Sequence, residues 1–186
     1  IKEDKIVYET PVLIRFINKR RKRRKQRVMG SFEGKTVLIT GAGRAVLSDG
    51  KCGSIGYGIA TAFAKEGANL VLTGRNVSKL ESAKKELEEK YNVKVLILQA
   101  DINDKNDNEA AVCHVMDEIK KTFGRLDVLI DNAQASASGV PLKDNTTEQL
   151  NLALYSGLYA TFYYRKHAYP LLKETTGSVI NFASGA

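Results

Sequence analysis

A chain of 186 residues, 43% apolar and 27% charged, is long enough to build one domain core and gives no ground for a disordered polypeptide. No apolar run approaches the roughly 18 residues that a membrane-spanning helix needs, and no signal-peptide pattern opens the sequence. The net charge of +8 is confined to one end: residues 1–28 hold 11 Lys/Arg against 3 Asp/Glu, and the rest is balanced at 18 of each.

The basic run NKRRKRRKQRV, residues 18–28, admits several readings. Clustered Lys and Arg release counterions from phosphates, which suits an arm for nucleic acid or an anionic surface. Lys and Arg can be encoded by purine-only codons, so the run also reads as the in-frame translation of a purine-rich ribosome-binding site, with Met29 as the true start. A remnant of cloning is a third reading. On the last two, residues 1–28 are a basic extension without a folded role, residues 29–186 carry the domain, and nucleic acid is not an expected partner.

From Met29 onward the pattern is strand, glycine loop, helix, repeated. TVLIT (36–40) is a continuous apolar strand; GYGIATAFAKEGA (56–68) has apolar residues at helical spacing and stops at Gly67; NLVLT (69–73) is the next strand. VSKLESAKKELEEKY (77–91) reads as a charged amphipathic helix, VKVLIL (93–98) as a strand, the stretch around 108–123 as a helix and LDVLI (126–130) as a strand. A long helix is expected within 147–173, and SVINF (178–182) is the last strand. Strands apolar on both faces, alternating with helices, imply a parallel sheet covered on both sides. The expected fold class is α/β: a doubly wound, Rossmann-like parallel sheet of about five strands in the order 3-2-1-4-5, with its second half incomplete.

The first strand runs into TGAGRAVLSDGKCGSIGYGIA (40–60). A phosphate-binding turn needs glycines where backbone must approach a pyrophosphate, and a helix start whose free N–H groups face it. Gly41, Gly43, Gly56 and Gly58 meet those needs if RAVLSDGKCG (44–53) is looped out. At the end of the second strand, NAD sites place a carboxylate against the ribose 2′-hydroxyl, whereas NADP sites omit it and supply an arginine. Here Gly74 holds that position, Arg75 follows it, and Arg44 lies in the glycine loop. Charge-assisted hydrogen bonds contribute roughly 1.5 to 3 kcal/mol each, so two arginine contacts would favour NADP by at least about a hundredfold. Ordinary surface solvation of either arginine is the alternative.

Thr40-Gly41 with the later SIGYGIA, Asp101-Ile102 after the third strand, DNAQ (131–134) after the fourth and GSVINFAS (177–184) occur in an order that resembles the short-chain dehydrogenase/reductase family, over nearly all of 34–186. A narrower likeness, carried by NAQASASG, YSGLYATFYY and YPLLKETTGSVINFASGA, is to its bacterial NADP-dependent 12α-hydroxysteroid dehydrogenase branch. The resemblance implies an NADP-dependent oxidoreductase that moves hydride between nicotinamide and a secondary alcohol or ketone, a steroid as the small-molecule substrate, and a homo-oligomer for the complete enzyme. It implies that Ser184 hydrogen-bonds the reacting oxygen; a small residue capping a strand is the alternative for that position. Ser54, Ile55, Ile102, Asn132 and Ala133 are implied as cofactor contacts, and Asp101 as a contact to adenine or, equally, a turn or helix cap. Gln134, Ser136 and Ser138, in the loop QASASGVPL, would line the substrate side.

The sequence departs from the family pattern at Asp131 and Gln134, and at Leu154, where the family often has an asparagine three residues before the glycine of the long helix. The family's tyrosine and lysine follow its serine on the next helix, so the chain is expected to be an incomplete, inactive copy. Tyr169 and Lys173 fit the tyrosine–lysine spacing literally, but they precede the serine strand, and Pro170 disfavours helical geometry at Tyr169. Neither His114 nor His167 sits in a metal-binding pattern and both are expected at the surface, so no metal is assigned. Cys52 and Cys113 make neither a metal spacing nor a disulfide framework, which suits a reducing cytoplasm.

Overall fold

The computed structural model describes residues 30–46, 50, 53–103, 108–136 and 139–182. The basic extension, Met29, Cys52, Ser138 and Ser184 lie outside the described residues.

Five strands and five α-helices follow one another as β1 (Thr36–Thr40), α1 (Ile55–Lys65), β2 (Asn69–Gly74), α2 (Val77–Tyr91), β3 (Val95–Gln99), α3 (Asn108–Phe123), β4 (Val128–Asp131), α4 (Thr147–Ala153), α5 (Ala160–Thr175) and β5 (Ser178–Asn181). All pairings are parallel and the strand order is 3-2-1-4-5, as expected. The registers Leu38↔Val71 and Leu38↔Leu129 place the middle of β1 between the middles of β2 and β4.

Strand alternation divides the apolar residues into two cores. Val37, Ile39, Leu70, Leu72, Val128 and Ile130 pack with Ala60, Ala64, Leu80 and Leu87 of α1 and α2. Leu38, Val71 and Leu129 point the other way, onto Val112, Val115, Ile119, Tyr164 and Ala168 of α3 and α5. Each central strand therefore needs apolar side chains on both faces, and all five residues of β1 are buried, the threonines at its two ends included. Truncating a leucine in such a core, Leu38→Ala for example, costs about 2 to 5 kcal/mol.

Local signals start the helices. Ser54 caps α1 and Asn76 caps α2, with Asn76 Oδ1 accepting from Lys79 N at 2.9 Å. Thr146 and Gln149 form a reciprocal capping box at α4.

The expected long helix is divided. α4 passes into a π-helical segment, Leu154–Tyr159, before α5 continues. One tertiary and one local bond hold the widened turn: Asn108 Nδ2 donates to the Tyr155 carbonyl at 3.0 Å, and the Ser156 hydroxyl donates to the Leu152 carbonyl four residues back at 2.7 Å. α5 also runs through Pro170 to Thr175, where the sequence suggested that Pro170 would break helical geometry. Pro170 and Lys166, whose carbonyl loses its N–H partner, both lie on the exposed side, so water serves that carbonyl.

β5 is the edge of the sheet and is exposed along its length, with Val179, Ile180 and the following Phe182 all above 40% exposure. Among the described residues, no helix is long and apolar enough to cross a membrane.

Candidate functional site

The order in which strands are added reverses between β1 and β4, and in open α/β sheets the crevice beyond the carboxyl ends of the strands at such a point is where ligands bind. A cleft of about 340 Å³ opens there. It is lined by Gly41, Ile55, Gly56, Arg75, Ile102, Asn132, Ala133 and Gln134 among the residues singled out from the sequence, together with Gly74 and with Thr73, Ala100 and Asn103, which sequence reasoning did not select. These last occupy strand ends, and their only sequence signal is that position.

Two glycines are required by close approach. Gly41 has φ +67°, and a Cβ on it would lie 3.1 Å from Ala133 Cα. A Cβ on Gly56 would stand 2.5 Å from the Gly41 carbonyl oxygen, a distance real Cβ atoms do not tolerate. The start of α1 is thereby pressed against the β1 turn. Its first-turn N–H groups have no intrahelical acceptor and sit beside the cleft. Gly58 makes no such approach; nothing lies within 4 Å of the Cβ it lacks.

A hydrogen-bond node fixes the floor. The Thr40 hydroxyl accepts from the backbone N–H groups of Asn132 and Ala133, both at 2.9 Å, while Asn132 Nδ2 donates to the Thr40 carbonyl at 2.8 Å. The chain leaving β4 is tied down again further on, where Ala135 N donates to the Ser156 hydroxyl at 2.9 Å and that hydroxyl lies 3.1 Å from the Ala135 carbonyl. The π segment thus anchors the loop after β4 that carries Ala133 and Gln134.

The remaining candidates lie elsewhere. Gly43 packs on α2, where a Cβ would come 3.1 Å from Lys79 Cβ. Arg44 does not line the cleft: its Nε lies 2.5 Å from Glu86 Oε2 on α2, and Lys90 pairs with the other Glu86 oxygen. Tyr57 joins this group; burial first and the Glu86 charge second push its hydroxyl up to about 12, so it stays protonated. Ser54 is the cap of α1. Asp101 is exposed and its Oδ1 accepts from Asn103 N at 3.0 Å, a local turn contact. Ser136 lines a separate recess of about 400 Å³ with Leu142, Thr146 and Leu150. Tyr169 and Lys173 share an exposed face of α5, with Lys173 Nζ 5.9 Å from the Tyr169 ring, and neither lines the cleft.

Asp131, the last residue of β4, is 7% exposed. Its Oδ1 has no hydrogen-bond partner and its Oδ2 has only Arg165 Nε at 3.5 Å. Burial is the main influence and raises the carboxyl to about 6, against the opposing pull of Arg165. His114 is exposed as expected, but His167 is not free at the surface: Glu109 Oε1 lies 2.7 Å from its Nε2. No group of three or more His, Cys, Asp or Glu among the described residues could hold a metal ion.

A doubly wound parallel sheet with a glycine-lined crevice at its switch point defines a nucleotide-binding α/β protein. The chain belongs to the short-chain dehydrogenase/reductase family: residues 50–186 match the family described as enoyl-(acyl carrier protein) reductase. It is 58% identical over 158 residues to a 12alpha-hydroxysteroid dehydrogenase of a Clostridium species, which covers 85% of this chain and 58% of that protein. It is 35% identical over 156 residues to the Bacillus subtilis oxidoreductase YhdF, covering 83% of this chain and 49% of that one. Among solved structures, L-sorbose reductase of Gluconobacter frateurii, complexed with NADPH and L-sorbose, superposes with a TM-score of 0.72 at 29% identity, covering 84% of this chain and 54% of that chain. A metagenomic short-chain oxidoreductase in complex with NADP gives the same score at 25% identity, covering 84% and 65%. The chain spans about half the length of the curated relatives it matches.

Proposed function

We propose that this chain carries the NADP-binding part of a short-chain oxidoreductase that moves hydride between nicotinamide and a secondary alcohol or ketone, a hydroxysteroid in particular. The observation that carries the reading is the cleft itself: backbone made approachable by Gly41 and Gly56, a helix start beside it, and Arg75 at the end of β2 with Gly74 in place of a carboxylate. These residues fit a dinucleotide with a 2′-phosphate. When bound, that group gives or takes the hydride.

The protein residues divide the remaining tasks. Gly41, Ile55 and Gly56 present backbone to the pyrophosphate, and Arg75 pairs with the 2′-phosphate. Arg44, held by Glu86, is left out of that contact, so one arginine rather than two supports the NADP preference. Asn132 and Ala133, fixed by Thr40, shape the nicotinamide end, and Ile102 lies on the adenine side with Asp101 shaping its turn. Gln134, Ser136 and Ser138 face the substrate, and Ser184 holds the reacting oxygen. The 58% identity to a hydroxysteroid dehydrogenase and the NADPH or NADP in structural neighbours support these assignments. A second copy of the chain is the partner we assign to the exposed face shared by the π-helical segment and α5, where Leu158 and Phe162 are 64% and 57% exposed.

Among the described residues no lysine and no tyrosine lines the cleft, so proton transfer at the carbinol oxygen is assigned to none of them. The test compares this chain with the product of its gene read past Ala186, following NADPH oxidation with a panel of keto-steroids. Turnover by the longer product, lost on Ser184→Ala and absent from the shorter chain, is expected. Failure of the longer product with every steroid would remove the substrate assignment, and turnover by the shorter chain would remove the assignment of the proton-transfer step.

A further inference from the structure

The glycine loop after β1 runs alongside the end of β2 and the start of α2. Ala42 N donates to the Thr73 carbonyl at 3.0 Å, Arg44 N donates to the Lys79 carbonyl at 2.9 Å, and Gly43, between them, packs on Lys79. Lys79 stands in the first turn of α2, whose cap, Asn76, directly follows Arg75. The backbone of Arg44 is therefore docked beside the strand end that carries Arg75. Its side chain nevertheless lies against Glu86, further along α2, and not in the cleft.

Glu86 is shared among three partners. Lys90 Nζ donates to Oε1 at 2.5 Å, Arg44 Nε stands 2.5 Å from Oε2, and the Tyr57 hydroxyl bonds to the same carboxylate. The Lys90 bond is the largest influence on this carboxyl and, with the Tyr57 bond and the Arg44 charge, it outweighs burial, so Glu86 lies below the ordinary carboxylate range and is ionised. The Arg44 contact is one of charge rather than of a directed bond, because Nε, although buried, has no hydrogen-bond partner. Both side chains are also partly exposed, which limits what the pair contributes. A phosphate monoester, with up to about two negative charges and three acceptor oxygens, offers a guanidinium better-directed bonds than a carboxylate already engaged by Lys90 and Tyr57. Glu86 in turn keeps those two partners when Arg44 leaves.

We propose that Glu86 is a positioning residue that sets the cofactor preference: it holds Arg44 out of the nucleotide cleft and so limits the preference for a dinucleotide bearing a 2′-phosphate. The inference rests on the nucleotide reading above, in which Arg75 makes one contact to that phosphate. Arg44 is the second arginine, docked within reach and withheld while Glu86 is charged. Neutralising Glu86 frees the guanidinium for the phosphate. A dinucleotide with a 2′-hydroxyl has no group to gain from it.

The experiment measures the dissociation constants of NADPH and NADH by fluorescence titration for the native chain, Glu86→Gln, Arg44→Ala and the double variant. Gln keeps an acceptor for Tyr57 and Lys90 and removes the charge. Glu86→Gln is expected to tighten NADPH about tenfold and to change NADH by less than about twofold, and Arg44→Ala is expected to cancel that gain in the double variant. Damage to packing would move both nucleotides together, so the ratio of the two separates this role from a structural one. Circular dichroism checks that each variant is folded. Should Glu86→Gln unfold, the exposed Lys90→Met carries the test with the opposite sign: without its competitor Glu86 holds Arg44 more firmly, and NADPH should bind several-fold weaker, an effect lost in the Arg44→Ala background. An unchanged ratio in folded Glu86→Gln, or a gain that survives Arg44→Ala, overturns the inference and leaves the cleft assignment standing. A native chain that binds neither nucleotide removes that assignment, and the inference with it.

Discussion

Thr40 and Asn132 clasp the carboxyl ends of β1 and β4: one hydroxyl takes two backbone N–H groups at 2.9 Å, and the Asn132 side chain returns a bond to the Thr40 carbonyl at 2.8 Å. Thr40 is 3% exposed, so water cannot replace the hydroxyl. Thr40→Val is isosteric and leaves both N–H groups without their acceptor, a loss of about 2 to 4 kcal/mol. Thr40→Ser keeps the oxygen and is expected to lose about 1 kcal/mol or less. Urea unfolding of the two variants separates the hydroxyl from the methyl; equal losses would refute the role given to the node.

Gly56 and Gly58 should respond oppositely to alanine. In Gly56→Ala the new Cβ meets the Gly41 carbonyl at 2.5 Å, so the glycine turn must open and cofactor affinity should fall by about tenfold or more. In Gly58→Ala nothing lies within 4 Å, and an exposed helical position should gain about 0.5 to 1 kcal/mol. Thermal melts and nucleotide titrations of both variants give the comparison, and a stable, binding-competent Gly56→Ala protein would contradict the site.

Much of this was legible before any coordinates. Both faces of β1, β2 and β4 are buried, so each has an unbroken apolar middle, at 37–39, 70–72 and 128–130, and the order 3-2-1-4-5 then follows from right-handed crossovers. Gly41, Gly56 and Arg75 were legible because strand ends and helix starts are marked locally. The π segment was not, because Tyr155 and Ser156 bond to Asn108 and Ala135, partners distant in sequence that no local pattern marks. Nor was the diversion of Arg44, which depends on Glu86 standing on the next helix.

Two buried aspartates should give acid behaviour of opposite sign. Burial, the largest influence on Asp127, raises its carboxyl, but bonds from Arg125 and from Thr36 N outweigh it and the net shift is downward from 3.8. Its contribution is therefore present above the unfolded value and lost as pH falls through the lowered one. Asp131 sits at about 6 instead of 3.8, so between those values the folded chain keeps a proton the unfolded chain has released, and stability falls as pH rises through that window. The difference corresponds to roughly 3 kcal/mol.

Asp131→Asn preserves the shape and removes the charge. It is expected to raise stability at neutral pH by about 1 to 3 kcal/mol, net of a weak contact with the half-exposed Arg165. The decline of stability between pH 4 and 6 should disappear with it. Denaturant titrations across that range check both points, and an unchanged pH profile would show that the carboxyl is not held as described.

β5 offers unpaired backbone along an edge whose Val179 and Ile180 are 41% and 42% exposed, a template for pairing with other chains. Ile180→Lys should shift light scattering of this chain toward smaller particles at equal concentration. An unchanged size distribution would show that the edge of β5 does not pair with other chains.

The most direct test of the account is the affinity of this chain for NADPH and NADH, measured by fluorescence titration for the native protein and for Arg75→Ala. One charge-assisted contact to the 2′-phosphate should make NADPH bind tighter by about 10- to 150-fold, a preference that Arg75→Ala abolishes and that rising salt weakens. Equal affinity for the two nucleotides in the native chain, or an NADPH preference that survives Arg75→Ala, would contradict it.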